Sequence, residues 1–243
     1  DLADIGLRYD LTVPLARYYA ANASLLPAPF KALQIGSVWR ADKPQKGRFR
    51  QFTQCDIDIL GDGSNMAEIE LIAATSEMLT KIFAEVGIRD FTVHVSDRRI
   101  LRGMAKYAGF NEEDYGNVFI ILDKLDKIGI DGVTEELKKA GYDEAAVEKY
   151  VAIFSEDFAG KSPREFCGFL NEEQLEPGTI EGLETILACA GAMVSDNVHI
   201  VFDPTLVRGM GYYTGTIFEC TIDDYNFSIA GGGRYDKMIG RYS

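Results

Sequence analysis

The sequence is poor in the residues from which metal centres and nucleophilic hydrolases are usually built. It holds two histidines and four cysteines in 243 residues. Cys55, Cys167, Cys189 and Cys220 show no C-x-x-C spacing, which argues against a zinc site or a dithiol redox centre. G-x-S-x-G elbows, paired-histidine motifs and cysteines with an evident histidine partner are all lacking, so no protein-held metal and no standard hydrolytic machinery is expected. No apolar run approaches the roughly 18 residues of a membrane span, and the first residues lack the pattern of a secretion signal. These absences predict a cytoplasmic, soluble protein with reduced thiols and no membrane partner. Internal repeats, low-complexity tracts and evident linkers are missing too.

Positive charge is also scarce. Lys and Arg number 25 against 38 Asp and Glu, a net charge of -13, which excludes wrapping nucleic acid with the whole surface. The deficit is local. Between Asn111 and Thr185 there are 19 acidic and 7 basic residues, a net of -12, and the rest of the chain is close to neutral. With 47% hydrophobic residues the chain has ample material for a core.

The most informative stretch runs from Leu33 to Leu60 and reads as strand, loop, strand. Cys55, Ile57 and Ile59 fall on one face at a spacing of two, and Phe52, Gln54, Asp56 and Asp58 on the other. The first face is predicted to be core and the second a polar wall. The loop between them carries Arg40, Lys43, Lys46, Arg48 and Arg50 against the single acid Asp42. Such a loop alone signifies only a solvated hairpin. Two features point further: Arg40 ends an apolar strand, where its planar fork can grip phosphate, and Phe52 shares a face with Gln54 and Asp58, where a ring suits a flat ligand.

Along the rest of the chain, Leu7 to Arg17 is predicted as a short strand and a helix capped by Thr12, with Pro14 in its first turn. Asn65 and Glu68 resemble a capping pair before a packing helix that carries Ile69, Ile72, Leu79 and Phe83. Phe91 to Val95 alternates as a strand, and its His94 reads as structural. Arg98 to Phe110 is helical, Gly132 to Ala190 is helical and acidic, and Val198 to Phe202 is a strand. Paired tyrosines at 212 and 213 are placed on a strand, one ring to each face. The glycines 231 to 233, beside Tyr212, Tyr213 and Tyr235, suggest a close approach of backbone to a small ligand. No G-K-[ST] follows them to make a P-loop.

Together, Gly36-Ser37-Val38-Trp39-Arg40, Pro44 to Phe52 and Gln54-Cys55-Asp56 resemble motif 2 of class II aminoacyl-tRNA synthetases in its histidyl-tRNA synthetase form. Leu7-Arg8-Tyr9-Asp10-Leu11-Thr12, Asp123-Lys124-Leu125-Asp126-Lys127, Leu206-Val207-Arg208-Gly209 and Gly231-Gly232-Gly233-Arg234-Tyr235 are similar to further signatures of that family, although Gly211 stands where many members have Asp. The resemblance implies an α+β fold, an antiparallel sheet flanked by helices. It divides the chain into a first part of the catalytic core (1–110), a helical insertion (111–190) and a second part with histidine-specific signatures (191–243). Motif 1, motif 3 and the anticodon-binding domain are not in this sequence, and the fragment alone is expected to be weakly active or inactive.

The same resemblance implies histidine-tRNA ligase activity, with ATP and Mg2+, histidine and tRNA(His) as ligands and a homodimer as the full-length state. Adenylate formation needs alignment and charge neutralisation more than a protein nucleophile. Arg40 would bind the α-phosphate, Arg48 the γ-phosphate, Phe52 the adenine face and Asp42 its exocyclic amine. Gln54, Asp10 and Thr12 would hold the substrate's amino and carboxylate groups. Asp58 and Tyr213 would read the imidazole, with Tyr212 and Tyr235 lining the pocket, and Arg208 would meet carboxylate and α-phosphate. Any tRNA phosphate contacts of the insertion are expected from Lys124, Lys127, Lys138 or Lys139. A non-catalytic paralogue, the synthetase-like regulatory subunit of ATP phosphoribosyltransferase, shares the fold but tends to lose the catalytic signature, so the intact Arg40, Arg48 and Arg208 favour the enzyme. An interaction module derived from a synthetase is the third reading, drawn from the missing motifs and the acidic insertion.

Overall fold

The computed structural model describes residues 5–45, 47–88, 90–155, 158–207, 211–222 and 225–242. By their contacts the residues form two compact units, Asp1–Ala67 with Asp236–Ser243, and Glu68–Tyr235.

The first unit is built on a long hairpin. Strands β1 (Phe30–Trp39) and β2 (Gln51–Leu60) pair antiparallel with Leu33 opposite Ile57 and Gly36 opposite Gln54. Helix α1 (Thr12–Asn22) lies against a 3-10 turn at Ile239–Arg241. Its first turn is held by Asp10, whose Oδ1 accepts from the Val13 amide at 3.0 Å, and Thr12 is already helical. The expected cap at Thr12 is therefore corrected: the N-cap position is Leu11, and Asp10 just before it supplies the acceptor for a free amide of the helix start. Residues 5–10 form no strand.

Burial on the hairpin is the reverse of the alternation's prediction. Leu33 and Ile35 are 66% and 69% exposed, while on the opposite face Val38, Asp58 and Leu60 are buried. The reason is the segment before α1, which lies on the polar wall. Arg8 takes the Trp39 amide on its carbonyl at 2.9 Å and donates from Nε to the Ser37 carbonyl at 2.7 Å, and Gln34 Nε2 donates to the Leu11 carbonyl at 3.3 Å. A Cβ on Gly36 would stand 2.8 Å from Arg8 Nη2, so a larger residue there would displace the end of the Arg8 side chain.

The second unit begins with α2 (Met66–Val86), which buries Ile69, Ile72, Leu79 and Phe83 at helical spacing. Then follow β3 (Phe91–Asp97) and α3 (Arg98–Ala108). The side chain of Asp97 caps α3 through the Arg99 amide, and Gly109 closes it in the left-handed region at φ 104°. Helices α4 (Tyr115–Leu122), α5 (Leu125–Lys139), α6 (Glu144–Ala152), α7 (Pro163–Phe166) and α8 (Thr179–Met193) lead to β4 (Val198–Phe202), β5 (Thr216–Ile222) and β6 (Tyr225–Gly233). Within α5 the path breaks at Gly129 (φ 68°, ψ 177°).

The four strands make one sheet in the order β4-β3-β5-β6, antiparallel except for the β3–β4 pair. A parallel neighbour needs a long crossover, and helices α3 to α8 supply it. Their apolar faces and the sheet share one core, in which Tyr150 of α6 packs edge-on to Phe110 and Phe154. The architecture is α+β.

Candidate active site

The wall of β2 is the centre of the site in the first unit. The spacing of two places Phe52, Gln54, Asp56 and Asp58 on one face, with Gln34 and Gly36 of β1 beside them, and Asp10 and Leu11 come from the overlying segment. Asp10 and Asp58 are 4% and 8% exposed. Gln54 Oε1 is buried without a hydrogen-bond partner. A buried carboxamide oxygen in that state wants an N–H donor.

Asp56 lies between Gln54 and Asp58 and was not among the residues assigned from sequence. Burial, then the neighbouring charges of Asp58 and Asp10, push its carboxyl up to about 6, against the pull of Arg40. The signal was there: Asp56 shares the face of the assigned residues. Asp56, with the carboxylates of Asp58 and Asp10 beside it, forms a place for a cation rich in N–H groups, such as an ammonium.

Arg40 stands at the rim. Its Nε donates to the Tyr9 carbonyl at 3.4 Å, and its guanidinium carbon is 4.5 Å from the Tyr9 ring centroid and 5.1 Å from that of Phe52. The flat group that Phe52 meets in this structure is thus the arginine fork. The basic loop is closed at its base by the Arg40 amide on the Arg50 carbonyl at 2.8 Å. Its tip is closed by a two-way backbone bridge between Gln45 and Arg48. Gly47 takes φ 77° there, a conformation that a tight turn needs and glycine adopts without strain. Asp42 and Arg48 are exposed, and the Asp42 carbonyl accepts from Arg50 Nε at 3.3 Å.

The tyrosines belong to the second unit. Tyr212 and Tyr213 sit in a turn before β5, not on a strand as expected, with ring centroids 5.1 Å apart at 77°. Tyr235 joins them, 6.0 Å from Tyr212. Two glycines of the run, Gly232 and Gly233, have a packing role within the fold. A Cβ on Gly232 would be 2.7 Å from the end of the Phe218 ring, and one on Gly233 would be 3.0 Å from Tyr213 Cδ1. Glycine there makes room for the chain's own rings. Arg208 lies outside the described residues.

His94 has the structural role expected of it. Its Nδ1 is 3.1 Å from Asp203 Oδ2 and its Nε2 3.0 Å from Thr221 Oγ1, so it ties β3 to β5 and to the turn after β4. Among the described residues no group of three or more His, Cys, Asp or Glu could hold a metal ion. No helix described is long and apolar enough to cross a membrane.

The family model described as histidyl-tRNA synthetase matches residues 2–243. A relative from Leifsonia xyli subsp. xyli, named histidine--tRNA ligase, is 46% identical over 245 residues, 99% of this chain and 56% of the relative. The crystal structure of histidyl-tRNA synthetase from Nostoc sp. PCC 7120 has a TM-score of 0.78 at 31% identity, covering 97% of this chain and 54% of that one. A Bacillus halodurans C structure described as an ATP phosphoribosyltransferase regulatory subunit/histidyl-tRNA synthetase shares the fold, with a TM-score of 0.76 at 23% identity over 97% of this chain and 59% of that one. The chain spans about half the length of the curated relatives it matches. On the match along nearly its whole length, the chain belongs to the histidyl-tRNA synthetase family.

Proposed function

We propose that this chain supplies the histidine-activating part of a histidine-tRNA ligase, which joins histidine to ATP as an adenylate and passes it to tRNA(His). The observation that carries the reading is the β2 wall: carboxylates of Asp10, Asp56 and Asp58, and a buried Gln54 oxygen in want of a donor, next to the Arg40 guanidinium. An amino acid needs the first set for its ammonium, and a nucleotide needs the second for its phosphate.

In this reading Asp10, Thr12 and Gln54 hold the amino and carboxylate groups of histidine. Asp58 and Tyr213 read its imidazole, and Tyr212 and Tyr235 line the pocket. Arg40 takes the α-phosphate and Arg48 the γ-phosphate, Phe52 stacks on adenine once Arg40 has turned to the phosphate, and Asp42 receives the exocyclic amine. Arg208 bridges carboxylate and α-phosphate as the second catalytic cation. Mg2+ is assigned to the phosphates of ATP, where it would neutralise charge. Residues 111–190 are the helical insertion between two parts of the catalytic core. The full-length protein is assigned a homodimeric, cytoplasmic state. Identity of 46% to a relative named histidine--tRNA ligase favours the enzyme over the paralogue.

The test is histidine-dependent ATP–pyrophosphate exchange by the full-length protein. Exchange is expected, and Arg208→Ala should abolish it while histidine still binds. Histidine binding without any exchange by the unmodified protein would overturn the reading in favour of the regulatory paralogue.

A further inference from the structure

An arginine drawn partly out of water ordinarily stands against a carboxylate, because an uncompensated charge there is costly. The second unit follows that rule at Arg99 with Asp97 and at Arg234 with Glu68, and its exposed Arg102 and Arg164 are also paired, with Glu112 and with Glu181 and Glu184. Arg98 breaks it. Among the described arginines of this unit it alone has no carboxylate partner, although it is half-buried. Its guanidinium carbon lies 5.1 Å from the Phe119 ring centroid of α4. Burial, and then the charge of Arg102 one helical turn on, pull its proton affinity below the ordinary arginine range, and no acid offsets them.

Its position gives the vacancy a use. The Arg98 amide donates to the Gly215 carbonyl at 2.9 Å, so α3 starts against the turn that holds Tyr212 and Tyr213, and the side chain reaches from there to α4. Of the four lysines expected to meet RNA phosphates, Lys127 is exposed and the other three are paired with acids. Lys124 is 2.5 Å from Glu136, Lys138 3.2 Å from Glu144 and Lys139 3.2 Å from Glu135. Arg98 precedes the acidic stretch of 111–185, and a guanidinium left without an acid is a group suited to an incoming anion.

We propose that Arg98 is a phosphate-binding residue at the seam between α3, α4 and the tyrosine turn. The phosphate belongs to one of the two phosphate carriers of the reaction proposed above, ATP or tRNA, and to that extent the inference rests on that reading. The planar fork offers paired donors to phosphate oxygens, and the Phe119 face supports the fork from the side opposite the anion.

The experiment measures equilibrium binding of ATP and of a tRNA(His) transcript to the full-length protein, with Arg98→Met and Arg98→Lys. Methionine keeps an unbranched apolar stem over Phe119 and removes the charge. Arg98→Met should weaken one ligand by about tenfold or more, the scale of a charge-assisted hydrogen bond, and leave the other unchanged; Arg98→Lys should recover part of the loss. Loss confined to the transcript, with the salt slope reduced by about 1 over a series from roughly 50 to 200 mM, assigns the phosphate to RNA. Loss confined to ATP assigns it to the nucleotide. Affinities for both ligands within about twofold of the parent in a folded Arg98→Met protein would overturn the proposal and leave Arg98 a packing residue on Phe119. A parent that binds neither ligand would overturn it as well. Because binding is read directly, loss of pyrophosphate exchange alone would sink the ligase reading and leave this one standing.

Discussion

Arg234 Nη1 donates to Glu68 Oε1 at 2.6 Å across 166 positions of sequence, and the two side chains are 17% and 6% exposed. The pair ties the first turn of α2 to the segment after β6. There the Arg234 backbone takes the Thr214 amide and gives its own to Thr216, each at 2.8 Å, between the turn with Tyr212 and Tyr213 and the following Tyr235. Removing one partner of such a buried pair leaves a charge stranded, at a cost of about 3–5 kcal/mol, whereas removing both costs much less. Glu68→Ala should therefore lower unfolding stability by about 3 kcal/mol in urea titration of the full-length protein, and adding Arg234→Met should recover more than half of it. Simple addition of the two losses would show that the bond does not couple the segments.

Asp56 carries a proton penalty that can be read as stability. Its carboxyl titrates near 3.8 when unfolded and at about 6 in the fold. The folded state thus holds a proton that the unfolded state has released. Stability falls as pH rises through that window, and the full penalty is present above it. Asp56→Asn should stabilise the protein by about 1 kcal/mol at neutral pH, a figure reduced for screening at a half-exposed site, and by much less near pH 4. A gain of equal size at both pH values would locate its cause outside the titration. Under the proposed function, the same substitution should weaken histidine binding at neutral pH.

The hairpin shows what local pattern carries and where it stops. Alternation from Gln51 to Leu60 yields both the strand and the grouping of Phe52, Gln54, Asp56 and Asp58 on one face. It also assigns the apolar face to the core, and that fails because burial is set by what lies on the sheet. Residues 8–11 cover the polar wall through bonds to Gln34, Ser37 and Trp39, contacts between 23 and 31 positions apart that no spacing rule contains. The turn at Tyr212 and Tyr213 was misplaced on a strand for a related reason, since two aromatic β-formers before β5 look like the strand's own start. Arg98 gave no signal at all. A helix beginning Arg-Arg is ordinary, and the ring that makes one of them distinctive is 21 positions away.

His94 and Asp203 make a pH-dependent tie. The bond from Asp203 raises the histidine's proton affinity above its ordinary value of 6.5, with burial opposing and the charges of Asp203, Glu219 and Asp126 assisting. Burial alone would raise the Asp203 carboxyl, but the bonds from His94 and Thr205 outweigh it and hold the group below its ordinary value. The histidine's contribution is therefore complete below pH 6.5 and lost as pH rises through its raised value; the aspartate's is lost as pH falls through its lowered one. His94→Gln should cost about 1 kcal/mol more near pH 6 than near pH 9, after allowance for partial exposure. Urea unfolding at the two pH values tests this, and a cost that grew toward pH 9 would contradict the pairing.

Gly232 faces Phe218 directly in the β5–β6 register, and a Cβ added there would lie 2.7 Å from the ring's Cζ. The ring cannot swing aside freely, because Phe218 is 7% exposed and part of the core. Gly232→Ala should cost about 1–3 kcal/mol by overpacking, and Phe218→Leu in the same protein should relieve part of that cost. Gly191 supplies the contrast. It lies exposed near the end of α8 with nothing within 4 Å of its would-be Cβ, so Gly191→Ala should stabilise the helix by about 0.5–1 kcal/mol. Melting of the three proteins side by side distinguishes contact from propensity. If Gly232→Ala melted as high as Gly191→Ala, the close approach of β6 to Phe218 could not be what requires glycine at that position.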